Sequence, residues 1–195
     1  MFSLLRRDLK LLCKILLILF ICPQVYAYSS KIDVTNNAFM HNTRGTTLLH
    51  EKKYNGAISE FMIGIRLLPD NPIIHPIYNN LGIAYLELAK ISKDYDKRNE
   101  KIFLKHAENS FLHALNFYPP ALSYYENLVE TYALMGVLDK KKVEYKKNKS
   151  LYSPIIVAMI YKKQGKTIEA QAIINDFVSK NPDLIMIKNL EKYFE

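Results

Sequence analysis

The chain has 195 residues, 49% of them hydrophobic and 24% charged, which suits one folded domain and excludes a long disordered tract. Six glycines, no tryptophan and 14 tyrosines fit a Gly-rich β-protein poorly and leave little for phosphate-cradling loops, so helices packed through Tyr, Leu and Ile are expected. The formal charge of +8 favours anionic partners, although where the charge sits matters more than its sum.

The chain opens on an export signal. Arg6, Arg7, Lys10 and Lys14 precede the apolar run from Ile15 to Cys22, and Val25-Tyr26-Ala27 supplies small residues at the two positions a signal peptidase reads. The run falls short of the ~20 apolar residues that span a bilayer, and Pro23 ends it. Residues 1–27 therefore read as a cleaved signal peptide of an exported, periplasmic protein, with 28–37 as a short linker; an uncleaved N-terminal membrane anchor is the alternative. Cys13 and Cys22 both lie in this segment, so the mature chain would hold neither a disulfide nor a thiolate metal site. Cleavage removes four basic residues and one acidic one, lowering the formal charge from +8 to +5.

From residue 38 onward the chain repeats itself. A first series reads Gly45, Leu48, Tyr54, Ala57, Phe61, Gly64 and Pro69; a second reads Tyr78, Leu81, Gly82, Tyr85, Ala107, Phe111, Ala114 and Pro119. A weaker third holds Tyr125, Leu128, Tyr132 and Gly136, and a fourth holds Val157, Ala158, Tyr161, Gly165, Ala170, Phe177 and Pro182. Apolar residues three and four apart put one stripe on a helix. A small residue then sits where two helices cross, a phenylalanine fills the space between, and a proline ends the second helix. One such hairpin cannot bury its face alone, so neighbours must stack.

This pattern resembles the tetratricopeptide repeat (TPR) over roughly residues 38–184. The resemblance implies an all-α fold, a right-handed solenoid of about four helix-turn-helix repeats at 38–71, 75–121, 122–150 and 151–184. Ile187, Leu190 and Phe194 continue the first-helix spacing and imply a C-terminal capping helix within 185–195. Two departures stand out. Between Tyr85 and Ala107 the second unit is longer than the pattern, and the polar run Lys93 to Lys101 predicts two lengthened helices projecting as a charged hairpin. In the third unit Lys141 and Asn148 stand where small residues are wanted, so its second helix should be the loosest.

Little in the chain points to catalysis. His41, His50, His75, His106 and His113 form no metal set: His106 and His113 are seven apart, but no carboxylate lies at ligand spacing beside both. They read as solvated helix histidines, and His41 as a packing residue. No serine has a nucleophile–base spacing, and the glycines are scattered. Asp94 and Asp96 read as self-paired surface charge. No enzymatic activity, metal or cofactor is expected.

Two surfaces remain. Lys140, Lys141, Lys142, Lys146 and Lys147, followed by Lys149, surround one helix rather than stripe it; they read as a solvated face or a contact with an anionic membrane surface, and an exported protein is not expected to meet nucleic acid. The TPR resemblance implies a concave groove lined by first helices, at Asn42 and Thr46, then Asn79, Asn80 and Ile83, then Glu126 and Glu130, then Ile155 and Met159. One TPR subclass clamps a chain-terminal carboxylate; Asn80 falls on one of its asparagine positions, but Asn42, Ser123 and Asn127 stand where its basic residues belong. Glu126 and Glu130 further disfavour a free carboxylate ligand, while Ile155 and Met159 are expected to give the groove an adaptable apolar end. The expectation is an exported scaffold that binds a peptide or partner protein in this groove, with a peripheral membrane component as the alternative.

Overall fold

The computed structural model describes residues 32–148 and 150–194, so the expected signal segment with its two cysteines, the start of the expected linker, Lys149 and Glu195 lie outside the described residues. Among the described residues the regular structure is entirely helical. Residues 32–50 form α1, followed by α2 (Tyr54–Leu67), a 3₁₀ turn (Pro72–Ile74), α3 (His75–Ser92), α4 (Lys97–Phe117), α5 (Leu122–Leu134), α6 (Leu138–Lys147), α7 (Ser153–Lys163), α8 (Thr167–Lys180) and α9 (Ile187–Phe194). Consecutive helices pair as hairpins, and the hairpins stack into an all-α solenoid. Residues 32–37, expected as linker, are instead part of α1, whose Ala38 is already fully buried.

Turn chemistry explains where the hairpins fold. After α1, α5 and α7, one residue takes a left-handed backbone: Lys52 (φ 58°), Gly136 (φ 70°) and Gly165 (φ 75°). Each turn closes with the same two bonds. Lys52, Gly136 and Gly165 donate backbone N–H to Leu49, Ala133 and Lys162, and the following residue reaches back to Leu48, Tyr132 and Tyr161, satisfying carbonyls that the helix end would leave bare. Second helices stop by another device: α2, α4 and α8 each end two residues before a proline, at Pro69, Pro119 and Pro182.

Small residues set the helix spacing. A Cβ added at Gly45 would lie 2.5 Å from the Phe61 ring, and one added at Gly82 would lie 2.5 Å from the Phe111 ring. Both rings are fully buried, so neither has anywhere to go. Ala158 and Phe177 are likewise buried in the last hairpin. Burying one such large apolar side chain contributes roughly 1.5–3 kcal/mol. Two apolar cores result: one joins α1, α2 and the start of α3 through Ala57, Phe61, Ile74 and Ile77; the other runs from Leu86 on α3 to Phe194 on α9.

The long second hairpin forms as the polar run predicts. α3 spans 18 residues and α4 spans 21, with the turn between them at 93–96. Asp96 is not self-paired surface charge: its carboxylate caps α4, accepting from the Asn99 backbone N–H at 3.0 Å and from the Asn99 amide at 2.6 Å. The third hairpin is weak in its second half, since α6 has 10 residues and buries none of them. At the end of the chain, Ile187, Leu190 and Phe194 bury one face of α9 against the last hairpin.

Candidate partner-binding face

First helices are tied side by side through polar rungs. The Asn80 amide on α3 donates to the Asn42 side-chain oxygen on α1 at 2.9 Å and to the Thr46 hydroxyl at 3.4 Å. One hairpin further, the Asn127 amide on α5 donates to the Asn79 side-chain oxygen at 3.0 Å. Two asparagines in succession on α3 thus reach in opposite directions, one to each neighbour. All five side chains are half-buried. Asn80 spends both of its N–H donors on these bonds and keeps its side-chain oxygen as an acceptor, whereas Asn42, Asn79 and Asn127 retain donor and acceptor capacity beyond their rungs.

Further along, the rungs become charged. Lys163 on α7 meets Glu130 on α5 at 2.5 Å, and Lys162 donates to the backbone carbonyl of Tyr193 on α9. The Lys162 ammonium lies 3.8 Å from the centre of the Tyr193 ring. Burial, then the neighbouring Glu126 carboxylate, push the Tyr193 hydroxyl well above its ordinary pKa. These residues, with Asn127 and Met159, line a cleft of about 490 Å³.

The structure brings some of the expected groove residues together and buries others. Asn42, Thr46, Asn79 and Asn80 join one another, and Glu126, Glu130 and Met159 share the cleft. Ile83 is half-buried against the second core. Ile155 is fully buried and Met159 is 3% exposed, so the adaptable apolar end does not exist as a surface. The negative charge of Glu126 and Glu130 is also not alone, because Lys162 and Lys163 stand in the same cleft. These lysines and Tyr193 escaped the sequence reading. Lys163 could have been found, since it follows Met159 by four residues and so shares its helix face.

The lysines of α6 are mostly engaged within the fold. Lys141 bonds Glu108 at 3.0 Å and Glu144 at 3.2 Å, lying 5.0 Å over the Tyr132 ring. Lys142 bonds Asp139 at 2.6 Å and Gln164 at 3.0 Å, and Lys146 donates to the Tyr161 hydroxyl at 2.7 Å. Lys140 and Lys147 are exposed. The uniformly solvated ring expected from spacing is therefore replaced by three tethered cations and two that have no ion-pair partner among the described residues.

The histidines also have structural employment. His106 and His113 are exposed, but they stack on Tyr85 and Tyr78 across the antiparallel α3–α4 pair, at ring distances of 4.9 and 5.0 Å. His41 pairs with Glu60 at 2.6 Å, tying α1 to α2. His75 accepts from or donates to the Tyr124 hydroxyl at 2.7 Å; burial lowers the His75 pKa and raises that of Tyr124 to about 12. Among the described residues no group of three or more His, Cys, Asp and Glu is placed to hold a metal ion, and no helix is long and apolar enough to cross a membrane.

No family model matches the chain, and no curated protein gives a significant match. Among solved structures it is similar to the TPR domain of Arabidopsis OM64, at 15% identity and a TM-score of 0.39 over 83% of this chain and 97% of that one. It is also similar to TTC0263, a thermophilic TPR protein of Thermus thermophilus, at 17% identity and a TM-score of 0.37 over 80% of this chain and 98% of that one. The stacked-hairpin fold rests on the helix contacts themselves.

Proposed function

We propose that this chain is an exported scaffold that binds a peptide or partner protein along the face of α1, α3, α5 and α7. The observation that supports this reading most is the row of polar groups across successive first helices, from the half-buried Asn42, Thr46, Asn79, Asn80 and Asn127 to the more exposed Glu130–Lys163 pair. Such groups hold a fixed geometry through their rungs yet keep spare hydrogen-bonding capacity toward solvent, which suits recognition of a polypeptide backbone. The mixed charge of the cleft, with two carboxylates and two ammonium groups, suits a partner segment carrying both signs rather than a free carboxylate terminus. Tethering of Lys141, Lys142 and Lys146 weakens the membrane-surface alternative, because only Lys140 and Lys147 of that set stay free for lipid headgroups.

The test is copurification from the source cell with a tagged chain and its Glu126→Lys/Glu130→Lys variant. A partner captured by the parent and lost by a variant of unchanged helicity supports the groove. Capture that survives both charge reversals contradicts it. Export is tested separately: N-terminal sequencing of the mature protein should begin at Tyr28, and a membrane-pelleting product that retains Met1 would contradict cleavage.

A further inference from the structure

The overlong second hairpin leaves a step in the solenoid. α4 begins at Lys97, and its residues from Glu100 to Glu108 face the α5–α6 turn around Met135 and Val137, where α6 has no fully buried residue. A cleft of about 440 Å³ opens there, between the first turns of α4 and the α5–α6 turn, and it shares no lining residue with the first-helix cleft. Its floor is apolar: Leu104 is buried, while Leu134, Met135 and Val137 are half-buried against the second core.

The rim carries the more specific information. Glu108, 3% exposed, faces the cleft but is already held by Lys105 at 2.6 Å and Lys141 at 3.0 Å. Glu100 is held by Lys97 at 3.1 Å. Lys101 and Lys140 line the same cleft, one on each side, and among the described residues neither has a carboxylate partner. Internal pairing therefore consumes every rim carboxylate and leaves two exposed cations over an apolar floor.

We infer that this step cleft is a second docking site, for an acidic amphipathic segment of a partner protein whose apolar side chains fill the floor and whose carboxylates meet Lys101 and Lys140. The charge left over on the rim selects the sign of the partner, and the floor requires apolar anchors beside that charge. A free anion would find no buried donor here, and a basic segment would meet like charge at both edges.

The experiment uses the mature chain and a fluorescein-labelled peptide with leucines at i, i+3, i+4 and i+7 and glutamates at the flanking positions, followed by anisotropy. The expected result is saturable binding that weakens about tenfold in Lys101→Glu/Lys140→Glu, weakens with added salt, and is absent for the same peptide with lysines replacing its glutamates. Glu126→Lys/Glu130→Lys should bind the peptide unchanged, which separates this site from the first-helix groove. Binding that is equal for both peptides, indifferent to Lys101→Glu/Lys140→Glu, or lost in Glu126→Lys/Glu130→Lys overturns the inference. So does binding of phosphatidylglycerol vesicles through Lys101 and Lys140 with no binding of the acidic peptide. Unchanged helicity and unfolding midpoint of the variants exclude misfolding as the cause of a loss.

Discussion

The second and third hairpins solve one packing problem by opposite means. In the second, Gly82 lets the Phe111 ring sit against the α3 backbone, and the two helices close over a dry contact. In the third, Lys141 occupies the position where α6 would need a small residue, so close approach is replaced by a polar bridge. Its ammonium reaches back to the buried Glu108 on α4, and the Tyr145 hydroxyl meets that of the fully buried Tyr132 at 2.9 Å. One hairpin is held by shape and the other by charge. The difference teaches that a degenerate repeat can stay in the stack when its second helix is moored to the hairpin before it.

That contrast predicts an order of sensitivities. Phe111→Ala should cost the most, about 3–5 kcal/mol in chemical denaturation, because a fully buried ring is removed from a site that cannot collapse. Gly82→Leu should cost roughly 1–3 kcal/mol through overpacking against the same ring. Lys141→Met should cost about 1–3 kcal/mol, since it leaves Glu108 with only the largely exposed Lys105. Equal losses from Gly82→Leu and from a change at the exposed Lys147 would break the comparison, because Lys147→Ala should stay within about 0.5 kcal/mol.

The polar bridge should also be visible in pH. Burial raises the Glu108 pKa, but the bonds from Lys105 and Lys141 outweigh it and hold the carboxyl below its ordinary 4.5. A group lowered in this way contributes stability that is fully present above its unfolded value and is lost as pH falls through its folded value. Glu108→Gln should therefore flatten the fall in unfolding midpoint below about pH 4.5, whereas Phe111→Ala should lower the whole curve without changing its slope. One substitution is expected to give a modest gain. Lys52 holds the left-handed position that Gly136 and Gly165 hold elsewhere, so Lys52→Gly should stabilise the first hairpin by about 1 kcal/mol in thermal unfolding.

Hairpin positions, the long α3–α4 pair and the close approaches at Gly45 and Gly82 were legible because period, small residues and proline stops act locally along the chain. The charged bridge was not. Lys141 looked like an error in the repeat, and nothing in its neighbourhood names Glu108, which lies 33 residues earlier and across a hairpin boundary. Asn42, Asn79 and Asn80 lie on first helices as predicted, although the bonds that join them across helices were not foreseen. The charged end of the groove was misjudged at Ile155, because α7 is buried around nearly its whole N-terminal half, leaving no outward face there for an apolar residue. The contribution of Tyr193 depends on where the last helix lies against α5 and α7, which periodicity does not specify.

The most direct test of the first-helix face is hydrogen exchange of the chain, alone and with its copurified partner. New protection should fall in α3, α5 and α7, around Asn79, Asn127 and Lys163, and leave α2 and α8 unchanged. Protection confined to second helices, or spread evenly over both sets, would contradict the account.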